Sequence, residues 1–141
     1  MSRHLSETVN GREGWSIYEQ IGFAVSCMFH NRNYSLYPVL NIQYWTEFAI
    51  QHRQIKFLFD MEGQPLAYVT WACLETDTEA RLLSDPEFRL HHSEWDEGGR
   101  IWILDFRCKP GYGLHAMKYL AKRRPWGKGD VRWMNRRKKI M

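Results

Sequence analysis

The chain has 141 residues, of which 44% are apolar, 15% aromatic and 26% charged, with a formal net charge of +4. These proportions exclude a disordered chain, favour one globular domain and supply a core with ample ring surface, at roughly 25 cal/mol per Å² buried. No apolar run nears the roughly 20 residues of a membrane-spanning helix and the N-terminus has no signal-peptide core, so the expected compartment is the reducing cytoplasm.

In chain order, residues 1–14 are polar and read as a flexible arm. Ser16-x-x-Glu19 is a capping box that opens a helix, and Ile17, Ile21, Ala24, Val25 and Met28 continue it as one apolar stripe to about Phe29. Asn31-Arg32-Asn33 breaks the pattern just after His30. A second helix is expected from Pro38, with Val39, Ile42, Trp45 and Ala49 on its buried face. The period then changes: Ile55 to Phe59 and Leu66 to Cys73 read as a β-hairpin around Met61-Glu62-Gly63-Gln64-Pro65. Residues 76–92 read as an interrupted helix, Glu94 to Gly99 as a polar loop and Arg100 to Arg107 as a strand. Lys109-Pro110-Gly111-Tyr112-Gly113 is a turn before a basic helix from Leu114 to Arg124, and a short strand is expected near Val131 to Met134. Helices, a hairpin and a strand–glycine–helix unit make one α+β domain.

Charge divides the chain. From Lys118 onward there are ten Lys or Arg and one acid, Asp130, whereas the preceding residues are net acidic. Such a tail suits an acidic partner, and charge by itself does not choose between nucleic acid, anionic lipid and an acidic carrier protein. Read from charge alone, a basic nucleic-acid-binding module using Trp126 and Trp133 for stacking stands first.

Several residues carry possible chemistry. Asp105 interrupts the apolar run Ile101-Trp102-Ile103-Leu104, and a carboxylate there must be paired, hydrogen-bonded or turned to solvent. Arg107, Gly111 and Gly113 surround a strand-to-helix turn whose backbone N–H groups suit an anion. His30 ends a helix, and histidine is a residue type that serves as a general base, although His4, His52, His91, His92 and His115 are equally available. The three cysteines, Cys27, Cys73 and Cys108, are widely spaced and form no C-x-x-C, and no His-x-x-x-His occurs, so neither a disulfide framework nor a metal site is expected.

Taken together, His30 followed by Asn41, the segment Leu66-Ala67-Tyr68-Val69-Thr70-Trp71-Ala72, and Trp95-x-x-Gly98-x-x-x-Trp102-x-x-Asp105 resemble the toxin-activating lysine acyltransferases that mature RTX toxins. The resemblance runs from about Ile21 to Arg124. It implies a variant of the N-acetyltransferase fold, a mixed sheet flanked by helices, although the glycine turn misses that fold's usual Q/R-x-x-G-x-G/A spacing by one residue. It divides the chain into an arm (1–14), an acyltransferase domain (15–135) and a basic end (136–141). The implied activity moves a fatty acyl group from acyl carrier protein, as an acyl-phosphopantetheine thioester and with no bound cofactor, to internal lysines of an RTX-type protoxin. By resemblance the essential histidine is His30 and the aspartate Asp105, supported by Tyr68, Asn41 and Cys27. Cys27 stands where relatives often carry serine, with Ser26 one place off. Donor and carrier binding is expected at Arg107, Gly111, Gly113, Lys118, Lys122, Arg123 and Arg124. Such an enzyme implies no nucleic-acid partner and no transmembrane segment. The alternative is a microcin-maturation acyltransferase, attaching a siderophore derivative to the C-terminal serine of a bacteriocin peptide. The short end after Val131 is expected to be a reduced tail, or a region completed by a companion subunit or a second copy as a homodimer.

Overall fold

A computed structural model describes residues 5–30 and 38–133. The break at Asn31-Arg32-Asn33, Met134 and the basic end 136–141 lie outside the described residues. Helix α1 (Ile17–Met28) is followed by α2, which passes through α-helical Val39–Asn41, π-helical Ile42–Glu47 and α-helical Phe48–Gln51. Then come β1 (Ile55–Phe59), β2 (Pro65–Leu74), α3 (Thr76–Ser84), a 3₁₀ turn at His92–Glu94, β3 (Arg100–Cys108), α4 (Gly113–Arg123) and β4 (Val131–Trp133). The strands form one mixed sheet in the order β1-β2-β3-β4, antiparallel except for the parallel β3–β4 pair that α4 connects.

The sheet separates two cores. On one face Phe57, Phe59, Tyr68, Ala72, Trp102 and Leu104 pack with Ala24, Cys27 and Met28 of α1 and Ala49 and Ile50 of α2. On the other, Leu58, Val69, Trp71, Ile101 and Ile103 pack with Ala116 and Leu120 of α4 and with Trp126. The expected capping box is formed: the Ser16 hydroxyl accepts from the Glu19 N–H at 3.0 Å, and the Glu19 carboxylate accepts from the Ser16 N–H at 3.0 Å. The α1 stripe is buried at Ala24 and Met28, while Ile17 is 39% exposed at the first turn.

Three expectations change. In α2 Val39 is 79% exposed and Thr46 is buried instead, because π-type turns shift the phase of a 3.6-residue repeat. The helix after β2 stops at Ser84: Asp85 turns extended, and its backbone and side-chain oxygens accept the Phe88 and Glu87 N–H groups in a tight turn. Within the supposed polar loop, Trp95 is fully buried against Trp45 and His52.

The described part of the N-terminal arm is docked rather than loose. Ser6 exchanges backbone hydrogen bonds with Phe59 (3.0 and 2.8 Å), extending the β1 edge, and Glu7 lies 3.2 Å from Lys56 and 3.0 Å from Arg123. Tyr119 also donates to Glu7 at 2.8 Å. Burial works against this carboxylate, but the Tyr119 and Lys56 hydrogen bonds with the Lys56 and Arg123 charges outweigh it and hold its pKa below the ordinary value. A depressed folded pKa means the stabilisation is complete above the unfolded glutamate's pKa and is lost as pH falls through the folded one. Glu7→Gln should therefore cost about 1 kcal/mol at neutral pH, with the deficit shrinking as pH falls below the ordinary glutamate range and through the lowered folded pKa. Urea denaturation of both proteins at pH 7 and pH 3 measures it, and a deficit that persisted in acid would remove the ion-pair explanation. No helix among the described residues is long and apolar enough to cross a membrane.

Candidate active site

Strict alternation along β3 would send Asp105 to the α4 face, with Ile101 and Ile103. It does not go there. Thr70 of β2 pairs with Asp105 and the next residue, Trp71, pairs with Ile103, so Leu104 is an extra residue in β3. Past this bulge the faces exchange: Phe106 and Cys108 pack on the α4 core, and Asp105 meets Tyr68, a residue of the α1 core. A bulge redirects a side chain in this way wherever one strand carries one residue more than its partner.

Asp105 is consequently a half-buried carboxylate with partners on both oxygens. Fully buried Tyr68 donates from Oη to Oδ2 at 2.7 Å, and Arg107 Nε lies 3.1 Å from Oδ1. Both members of the ion pair are largely shielded, with side chains 10% and 16% exposed. Arg107, expected with the glycine turn, is thus paired with Asp105.

Helix α1 crosses this face. Phe23 packs edge-on against Phe57 and Phe59 of β1, whereas the thiol of Cys27, one turn on, is within electrostatic reach of the Cys108 thiol at the end of β3. The last turn of α1 is thereby carried toward the Asp105–Cys108 half of β3. His30 follows immediately, exposed, with its N–H donated to the Cys27 carbonyl at 3.4 Å. Burial, reinforced by the Cys108 thiol, pushes the Cys27 thiol up to about 12, and burial raises Cys108 to about 11. Neither thiol is a ready nucleophile near neutral pH. Asn41 is half-buried in the first turn of α2.

The donor-side residues divide. Gly111 takes the left-handed conformation (φ 87°) that lets the chain turn into α4 at Gly113. Two N–H groups of this turn are already spent, Lys109 on the Leu66 carbonyl and Tyr112 on the Lys109 carbonyl. Lys118 and Lys122 are exposed one helical turn apart. Arg123 pairs with Glu7, and Arg124, left-handed at φ 49°, closes α4 and donates to the carbonyls of Gly127 and Gly129. The four cations therefore do not act as one surface. Among the described residues no group of three or more His, Cys, Asp or Glu is placed to hold a metal ion.

Two residues outside the sequence reading fix the start of β3, away from Asp105. Gly99 sits so close to the Leu74 carbonyl that a Cβ would lie 1.9 Å from its oxygen, and buried Glu79 accepts from Trp102 Nε1 (2.8 Å) and Arg100 Nη1 (2.9 Å). No local sequence signal marks the latter, because its partners Trp102 and Arg100 come from β3.

Comparison with known proteins gives consistent results. The chain is 36% identical over 81 residues to the RTX-II toxin-activating lysine-acyltransferase ApxIIC of Actinobacillus pleuropneumoniae, covering 57% of this chain and 49% of the relative. It is 34% identical over 77 residues to the leukotoxin-activating lysine-acyltransferase LktC (serotype A1) of Mannheimia haemolytica, covering 55% and 45%. With the protein-lysine myristoyltransferase HlyC of Escherichia coli it shares 32% identity over 77 residues, covering 55% and 44%. The aligned chain spans about half the length of these relatives. A solved acetyltransferase structure from Corynebacterium glutamicum, described as histone acetyltransferase HPA2 and related acetyltransferase, superposes with a TM-score of 0.45 at 14% identity, over 93% of this chain and 75% of that one. Residues 13–140 match the RTX toxin acyltransferase family from end to end of the sheet and both its helical layers, and the chain belongs to that family.

Proposed function

We propose that the protein is a lysine acyltransferase that moves a fatty acyl group from acyl carrier protein to internal lysines of an RTX-type protoxin. The observation that carries this reading is the bulge at Leu104, which turns Asp105 onto the face crossed by α1 and satisfies it with Tyr68 and Arg107, while His30 stands exposed at the end of that helix. A lysine ammonium must lose a proton before it attacks, since its reference pKa is about 10.4. His30 removes that proton, directly or through water, and the amine attacks the thioester carbonyl. The C–N bond forms and the C–S bond breaks; of the two protons the nitrogen sheds in becoming an amide, one is returned by the imidazolium to the departing carrier thiol and the other passes to solvent. Asp105 orients the imidazole and stabilises its charged form, as a carboxylate does in other acid–histidine pairs. The buried, weakly acidic Cys27 thiol favours direct transfer over an acyl-cysteine intermediate. Three free cysteines fit a reducing cytoplasm.

Co-expression with an RTX protoxin tests the reading. Intact mass should show one acyl increment for each modified lysine, absent when His30 is replaced; an unmodified protoxin in the presence of acyl carrier protein would overturn it.

The carrier is acidic, and Lys118 and Lys122 are exposed cations of α4 with no ion pair among the described residues, unlike Arg123. Lys118→Glu with Lys122→Glu should raise the donor KM about five- to tenfold at low salt with little change in kcat, and the effect should shrink at high salt. Steady-state kinetics at two ionic strengths checks it; an unchanged low-salt KM would place the carrier elsewhere.

A further inference from the structure

Both oxygens of Asp105 have partners within the sheet: Oδ2 accepts from Tyr68 of β2 at 2.7 Å, and Oδ1 lies 3.1 Å from Nε of Arg107 of β3, an ion-pair contact without hydrogen-bond geometry at Nε. The two β3 residues share a face because they both follow the bulge, and the register sets Arg107 opposite Tyr68. The titratable groups that the structure brings to this part of the sheet are Cys27 of α1, Tyr68 of β2, and Arg107 and Cys108 of β3, with His30 two residues beyond the end of α1; β1 contributes apolar Ile55 and Phe57 to the same core. Burial keeps both thiols neutral near pH 7. The positive charge beside the carboxylate is therefore that of Arg107, and a guanidinium so placed favours the ionised form and fixes its rotamer.

We propose that Arg107 is a positioning residue that acts through Asp105, anchoring its carboxylate in the orientation that serves His30, and that it does not bind the acyl donor. The role rests on the reading of His30 and Asp105 as the catalytic pair. It differs from that reading in what it requires of the kinetics. A donor ligand would act on donor affinity, whereas a residue acting through Asp105 changes the rate of the chemical step and becomes dispensable once the carboxylate is gone.

The test uses Arg107→Met, Arg107→Lys, Asp105→Asn and the Arg107→Met/Asp105→Asn double variant of the full chain. Myristoyl-loaded acyl carrier protein serves as donor and an RTX protoxin as acceptor. Arg107→Met should lower kcat about tenfold or more with donor KM within about twofold, Arg107→Lys should recover part of the loss, and in the Asp105→Asn background Arg107→Met should add less than about twofold. A donor KM raised about tenfold at unchanged kcat, or losses that multiply in the double variant, would overturn the proposal. A second readout needs no activity: carbon-13 NMR of the Asp105 carboxyl in the wild type and in folded Arg107→Met. The carboxyl should titrate at higher pH once the guanidinium is gone, and an unmoved titration overturns the anchoring whatever the kinetics. Should the wild type transfer nothing to lysine while the titration still moves, the acyltransferase reading fails and the anchoring of Asp105 by Arg107 stands.

Discussion

Replacing His30 with alanine is expected to leave the fold intact and to lower acyl transfer by about 10²- to 10⁴-fold, the range for removing a positioned general base. The two halves of this expectation have separate causes. His30 lies beyond the last residue of α1, exposed, and its place is held by a backbone hydrogen bond to the Cys27 carbonyl that alanine keeps. The buried side chains that seat this helix are Ala24, Cys27 and Met28, all upstream. Loss of stability should therefore stay within about 0.5 kcal/mol, as for surface substitutions generally. The activity falls because the incoming lysine ammonium then has no acceptor for its proton at the point of attack. Thermal denaturation together with single-turnover transfer from acyl carrier protein separates the two effects. Near-wild-type transfer by the folded variant would end the general-base assignment.

Gly99→Ala is expected to be the most damaging small substitution in the chain for stability, at about 3 kcal/mol or more. A Cβ at this position would stand 1.9 Å from the Leu74 oxygen, 2.5 Å from the Leu74 carbonyl carbon and 2.9 Å from the Glu75 nitrogen. All three are backbone atoms and cannot swing aside as a flexible side chain would. Relief requires the end of β2 to separate from the start of β3, where Leu74 pairs with Arg100. That movement loosens buried Leu74 and Trp102 and the Glu79 carboxylate that receives the Trp102 and Arg100 donors. Neighbouring Gly98 behaves differently: its φ of 80° disfavours other residues, but a Cβ there would meet nothing within 4 Å. Gly98→Ala should accordingly cost less, near 1 kcal/mol. Urea midpoints of the two variants measure the difference; equal and small losses would mean that the β2–β3 junction relaxes freely.

The sequence by itself determined the elements and their chemistry where each signal is local. The capping box at Ser16 and Glu19, the hairpin of β1 and β2, the apolar run of β3 and the helix after the glycine turn all follow from short-range patterns, and each is observed near its expected bounds. The oddity of Asp105 was equally local, because a carboxylate in an apolar strand needs a partner wherever it points. Tertiary structure alone decided where it points. A bulge is a mismatch in length between two paired strands, so the exchange of faces at Leu104 exists only in the pairing of β2 with β3 and cannot be read from β3 alone. The same holds for the partners of the cations. Arg107, Arg123 and Arg124 are grouped in the sequence reading as donor- and carrier-binding cations, yet one pairs with Asp105, one meets Glu7 from the N-terminal arm and one closes the loop after α4. The arm itself reads as a polar tail until the β1 edge offers Ser6 a strand to pair with. Trp95 sits among polar neighbours, but Trp45 of α2 and His52 just beyond that helix enclose it in the core. Propensity, period and capping act over a few residues, whereas register, ion pairing and burial depend on residues brought together from distant parts of the chain, and the candidate site is built from the second kind.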